Sequence, residues 1–177
     1  MTDGLERLWA GWRRAYVSAG APVAGPPVSL GPGQVEGCVL CRVIAPGRDE
    51  EEANVVWRGA RCAAVLNAYP YTSGHLMVLP TRHVGELEAL EPDESAELWD
   101  GTRQAVAALK AAYGPDGINV GMNLGRAAGA GVPGHLHIHA LPRWDGDTNF
   151  MTSIAGTRVL PEALPDSWAE VRRAWPG

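Results

Sequence analysis

The sequence predicts an α+β fold: an antiparallel sheet of about five strands, one long helix against it, and further helices near the two ends. Three observations carry this reading. The β-rich runs follow one another without helices between them, which favours antiparallel pairing over the alternating order of a doubly wound sheet. The stretch Pro92–Tyr113 has a helical apolar period with matching ends. The run His135–Leu141 alternates histidine with apolar residues, the period of a strand.

The elements follow in order. Leu5, Leu8, Trp9, Trp12 and Tyr16 recur at three- and four-residue spacing with Arg13 and Arg14 turned away, which predicts an amphipathic helix. Gly20 to Gly37 holds four prolines and five glycines and reads as a linker. The chain is thus expected to divide into residues 1–36, a helix and linker, and residues 37–177, the folded domain with a helical tail. After a Cys38-x-x-Cys41 pair and an acidic run expected to be a solvated loop (Asp49 to Glu52), Asn54–Arg58 and Cys62–Asn67 read as a hairpin around Gly59-Ala60. Tyr69–Gly74 is a turn and Gly74–Pro80 the next strand. Pro92 suits a first helical turn, Leu98, Ala105, Leu109 and Ala112 share one side, and Gly114-Pro115 stops the helix. Ile118–Leu124 and His135–Leu141 are two more strands, joined by the Gly-rich loop Gly125–Gly134. A helical pattern returns from about Pro165 to Trp175.

Composition narrows the function. With 177 residues, 46% of them apolar, the chain is long enough to bury a core without staples. A net charge of −5 argues against a nucleic-acid polymer as partner, although a small anion can still meet a locally positive pocket. No apolar run approaches the roughly 18 residues a bilayer span needs, and the first residues lack an export signal, so a cytoplasmic protein away from membranes is expected. Three cysteines are an odd number, and in that setting Cys38-x-x-Cys41 reads as metal or redox chemistry before it reads as a disulfide. Cys62, within an apolar strand, reads as a small buried hydrophobe.

The five histidines fall in two places: His75 and His83 in Gly74–His83, and His135, His137 and His139 in one strand. On a strand the last three share a face, about 6.5–7 Å apart, while Leu136, Ile138 and Ala140 turn to the core. Such a row has no packing advantage over valine. It suits either a metal site or nucleophilic attack on phosphorus, where a neutral imidazole works near pH 7. Spacing alone leaves both open.

His135-Leu136-His137-Ile138-His139-Ala140-Leu141 resembles the motif of the histidine-triad (HIT) family. Asn67, Gly74-His75, Pro80-x-x-His83-Val84, Asn123 and Ala128-Gly129 extend the likeness, in order and spacing, over about Cys38 to Arg143. Asn67–Tyr71 and Pro142–Phe150 look most like its actinobacterial diadenosine tetraphosphate phosphorylase branch. The resemblance implies that His137 attacks an α-phosphorus and carries a nucleotidyl group, released to water or phosphate. It implies His139 at the α-phosphate, the backbone near His75 orienting His137, Asn67 at the ribose hydroxyls, Asn123 at the phosphates or leaving group, and backbone N–H groups around Gly131 cradling oxyanions. The substrate so implied is a dinucleoside polyphosphate. A nucleoside phosphoramidase, a mononucleotide hydrolase, or a nucleotide-binding scaffold with incidental activity are the competing readings. The loop departs from the family after Ala128-Gly129: Ala130–Gly134 is one residue longer than in members that place a glutamine there.

The resemblance also assigns a metal. In zinc-bearing HIT proteins the Cys-x-x-Cys pair is completed by the histidine of Pro-x-x-His and the first of the triad, here His83 and His135. A closed Cys38/Cys41/His83/His135 set would be a structural zinc site, with no organic cofactor expected. A homodimer is implied too, with a sheet continuous across the interface and the Pro92–Tyr113 helix taking part. Tyr69 and Tyr71 fit a base pocket or turn packing equally. Arg143 fits a distal phosphate or a plain ion pair, and Trp144 and Phe150 fit pocket, core or interface.

Overall fold

A computed structural model of the chain describes residues 28–148 and 160–176. The expected N-terminal helix, much of the linker, and Phe150 lie outside the described residues; residues 28–37 contain no helix or strand. Five strands form one antiparallel sheet: β1 (Val55–Arg58), β2 (Cys62–Leu66), β3 (Leu76–Pro80), β4 (Gly117–Met122) and β5 (Ile138–Arg143), in the order β1-β2-β3-β5-β4. A short helix α1 (Val39–Val43) precedes β1, the long helix α2 (Pro92–Tyr113) joins β3 to β4, and α3 (Leu164–Ala174) closes the chain.

Side-chain alternation divides the molecule into two layers. Val56, Ala64, Leu66, Leu76, Val78, Ile138 and Ala140 point to α2 and α3, where Leu98, Ala105, Leu109 and Val171 are fully buried. Truncating one such leucine to alanine costs about 2–5 kcal/mol. Val55, Ala63, Val65, Met77 and Leu79 point to the other face and pack under α1. The triad histidines share this second face, because Leu136, Ile138 and Ala140 occupy the first.

Helix α2 keeps the predicted bounds. Pro92 starts it, Glu91 and Glu94 form a reciprocal capping box, and Gly114 ends it in the left-handed conformation (φ 52°). At Gly101 the helix lies so close to the sheet that a Cβ would sit 3.0 Å from the Trp57 ring and 3.2 Å from Val78. The C-terminal helix covers the outer sheet edge: Trp168 Nε1 donates to the Val55 carbonyl (2.9 Å), Arg172 to that of Val56 (2.6 Å), and Trp175 stacks on Trp57. The opposite edge, β4, is covered by no strand or helix among the described residues, and Val120 is exposed there.

Three differences from the sequence reading have physical causes. The triad strand begins at Ile138 rather than His135, since the donors just before it are engaged elsewhere: His135 N–H goes to the Val132 carbonyl and Leu136 N–H to Val84. The Cys pair sits on a helical turn, where the sulfur of Cys38 accepts from the Cys41 N–H (3.5 Å) as N-cap. The acidic loop is not only solvated, for Glu50 pairs with Arg58 (3.5 Å) and Arg172 (3.1 Å) and so ties it to β1 and α3. Cys62 is buried, as expected, and burial pushes its thiol up to about 12.

Candidate functional site

Two sites meet at the segment His135–His139. The first is a closed corner under α1. Cys38 Sγ lies 3.4 Å from His135 Nδ1, Cys41 Sγ lies 3.4 Å from both His83 Nδ1 and His135 Nδ1, and the four ligand atoms all fall within 4.8 Å of one another. A tetrahedral zinc ion bound to two sulfurs and two nitrogens has S···N edges of about 3.5 Å. The three S···N separations of 3.4 Å match that edge, so the donor set fits such an ion.

The protonation pattern fits as well. His135 Nε2 is 2.9 Å from the Pro80 carbonyl, which can only accept, so Nε2 carries the proton and Nδ1 turns its lone pair to the thiols. Burial pushes His135 down to about 4 and the Cys41 thiol up to about 11, so the corner favours neutral groups until a cation enters it. Cys38, Cys41, His83 and His135 can hold a metal ion together.

The second site is a cavity of about 380 Å³ on the same face of the sheet. His137, His139, Asn67, Asn123 and Gly131 all line it, as do Tyr69 and Tyr71. His75 does not line this cavity; it stands behind His139. Its Nδ1 receives the Tyr71 N–H (3.2 Å) and faces the Asn67 amide nitrogen (3.4 Å), so its proton sits on Nε2, 2.9 Å from His139 Nδ1. His139 thereby keeps its own proton on Nε2. Asn67 is itself held, its side-chain oxygen accepting from Tyr69 N–H (2.9 Å).

His137 has the opposite tautomer. Its Nδ1 lies 2.8 Å from the His135 carbonyl and so bears the proton, leaving the lone pair on Nε2. Burial lowers its pKa from the usual imidazole value, which keeps the ring neutral, and only 6% of the residue is exposed. The backbone that orients His137 is thus that of His135, not the backbone near His75 as the sequence suggested. His75 acts on His139 instead. The His137 and His139 rings meet edge to face, 4.9 Å apart.

Arg143 is engaged in an ion pair with Asp147 and a bond to Asn119 (2.8 Å), and Asp147 is held well below the carboxylate range by that guanidinium. Trp144 packs edge-on to Tyr113. Sequence reasoning missed the apolar side of the cavity: Val39, Leu40 and Val43 of α1, with Ala53 and Asn54. The signal was the apolar filling of the Cys-x-x-Cys motif itself.

The chain is similar to known proteins over most of its length. The model of the HIT domain matches residues 48–146. The AP-4-A phosphorylase of Mycobacterium tuberculosis (strain H37Rv) is 43% identical over 173 residues, covering 98% of this chain and 86% of its own. A bis(5'-nucleosyl)-tetraphosphatase (asymmetrical) of Schizosaccharomyces pombe is 33% identical over 95 residues, 54% of this chain and 52% of its own. The crystal structure of a Zn-bound histidine triad family protein from Mycobacterium smegmatis superposes with a TM-score of 0.63 at 26% identity, covering 78% of this chain and 92% of that one.

Proposed function

The chain belongs to the HIT domain family, and from that premise we propose that it is a nucleotidyl transferase or hydrolase that splits a dinucleoside polyphosphate, of the diadenosine tetraphosphate type, at an α-phosphate. The observation that carries this is the orientation of His137: a neutral, buried imidazole with Nδ1–H fixed on a carbonyl and its Nε2 lone pair left for the substrate. Its similarity to the AP-4-A phosphorylase over nearly the whole chain supports the choice of substrate.

In this reading His137 Nε2 attacks the α-phosphorus, a P–N bond forms, and the P–O bond to the departing nucleoside polyphosphate breaks. His139 donates its Nε2–H to a phosphate oxygen, in the tautomer that His75 imposes. Backbone N–H groups around Gly131 cradle the phosphate oxygens, with Asn123 at the phosphates or leaving group, and Asn67 takes the ribose hydroxyls. The loop around Gly131 supplies backbone donors where other members of the family use a glutamine. Phosphate or water then attacks the same phosphorus, the P–N bond breaks, and the imidazole is restored.

Zinc is the ion we assign to Cys38, Cys41, His83 and His135; with four protein ligands and no open position it supplies anchorage, not chemistry. His135 then holds still the carbonyl that orients His137. Residues 37–177 form the catalytic domain, with 1–36 an appended segment. Two copies pair through β4, the edge without a cover among the described residues. The three free cysteines and the acidic charge fit the cytoplasm, and no described helix is long and apolar enough to cross a membrane.

The test is to incubate diadenosine tetraphosphate with and without inorganic phosphate. ADP formed only with phosphate identifies a phosphorylase, and AMP with ATP formed in water identifies a hydrolase. Turnover of adenosine phosphoramidate with little polyphosphate cleavage would overturn the reading.

A further inference from the structure

Asn54 holds an unusual place in the nucleotide cavity. It is the one non-glycine residue among the described residues with a positive φ (57°), just before β1. Its backbone is engaged on both sides, N–H to the Glu51 carbonyl (3.0 Å) and carbonyl from the Leu66 N–H (2.8 Å). Glycine would take this conformation with less strain, so what asparagine adds is its carboxamide. That carboxamide has no hydrogen-bond partner among the described residues, although Asn54 lines the cavity beside the apolar Val39, Val43 and Ala53.

Its position along the cavity is set by the sheet. Asn54 leads into β1, three strand spacings from β5, which carries His139 and follows His137. At 4.7–4.9 Å per spacing this is roughly 14 Å between backbones. A nucleoside 5′-phosphate bridges such a gap with phosphorus at the histidines, ribose at Asn67 on the intervening β2 side, and the base between α1 and Asn54. An apolar slot stacks any base; a carboxamide at its rim can tell one from another.

We infer that Asn54 reads the base edge and selects adenine, its side-chain oxygen accepting from N6–H and its NH2 donating to N7. This rests on the nucleotide reading of the site given above. Six-oxo purines present two acceptors, O6 and N7, along the same edge, which a carboxamide cannot satisfy together.

The experiment compares binding of AMP and IMP, which differ only at the six position and the adjoining N1, by calorimetry on the metal-loaded wild type and on Asn54→Gly and Asn54→Asp. Glycine keeps the left-handed backbone and removes the amide; aspartate keeps the shape and removes the donor. The wild type is expected to bind AMP about tenfold tighter than IMP, the scale of discrimination of a bidentate carboxamide–adenine pair. Asn54→Gly should lose that ratio by weakening AMP alone, with an unchanged melting temperature, and Asn54→Asp should keep a preference for AMP through N6–H. Equal wild-type affinities, an unchanged ratio in Asn54→Gly, or an equal loss of both ligands overturns the inference. Binding is read without turnover, so the two proposals fail separately. If AMP is selected but no dinucleoside polyphosphate is cleaved, the reaction falls and the base reading stands. If cleavage proceeds with no base preference, the reverse holds.

Discussion

His135 and His137 stand two residues apart on one face and use their rings in opposite ways. His135 gives Nε2–H to Pro80 and turns Nδ1 to two thiols; His137 gives Nδ1–H to His135 and leaves Nε2 for the cavity. Both are almost wholly buried and both are held neutral. The role of each histidine therefore comes from which nitrogen the nearest carbonyl takes, and not from the repeat that aligns them. One ring faces a closed corner of thiols and the other an open cavity.

The strongest way to break this contrast is to remove one functional group from each side. His137→Asn should lower kcat by at least about a hundredfold while nucleotide affinity stays within a few-fold, since a covalent nucleophile is worth orders of magnitude and ground-state contacts remain. Stopped turnover with lost binding would mean that His137 holds the nucleotide and does not attack it. Cys41→Ser should abolish the binding of about one metal ion per chain and lower Tm by about 10 °C or more, read by metal analysis and calorimetry. Unchanged metal content removes the corner as a metal site.

A smaller effect sharpens the comparison. His75→Asn frees the tautomer of His139 and should reduce kcat about tenfold while leaving metal content alone. A parallel loss of metal would mean that the two sites are not separable. The smallest effect lies beside His83. Arg82 bonds both carboxylate oxygens of buried Glu94, at 2.8 and 2.6 Å, and its hydrogen bond is the main cause of a Glu94 pKa below the usual 4.5. A carboxylate with a depressed folded pKa adds stability above its unfolded pKa and loses it as pH falls through the folded value. Melting curves below pH 4.5 should therefore show a fall in Tm that is shallower in Arg82→Gln, which starts from a lower Tm at pH 7. An equal fall in both would show that the pair does not hold the loop carrying His83.

Much of this was legible in the residues. The five strands, the bounds of α2 and the closing helix follow from apolar period and end signals, and all ten candidate site residues fall within the two adjoining sites or directly behind them. What escaped depended on contacts distant in sequence. That β5 inserts between β3 and β4 is a matter of pairing, invisible to local period. The start of β5 moved because Val84 and Val132 supply its neighbours' acceptors. Helix α1 has five residues, too few for a period to show, and its order comes from packing.

That short helix has a consequence for how the protein can change. Cys38 and Cys41 face the corner, while Val39, Leu40 and Val43 line the cavity, so one turn of chain forms a partition between two rooms. The wall of the nucleotide cavity can be resurfaced by exchanging valine for larger or smaller side chains at 39 and 43, with both sulfurs left in place. Between Cys38 and Cys41 it cannot be lengthened or shortened, because an inserted or deleted residue there would turn one sulfur out of the corner. Changes in the shape of the cavity wall are thereby confined to substitution, at a turn whose length is fixed by the two thiols on its other side.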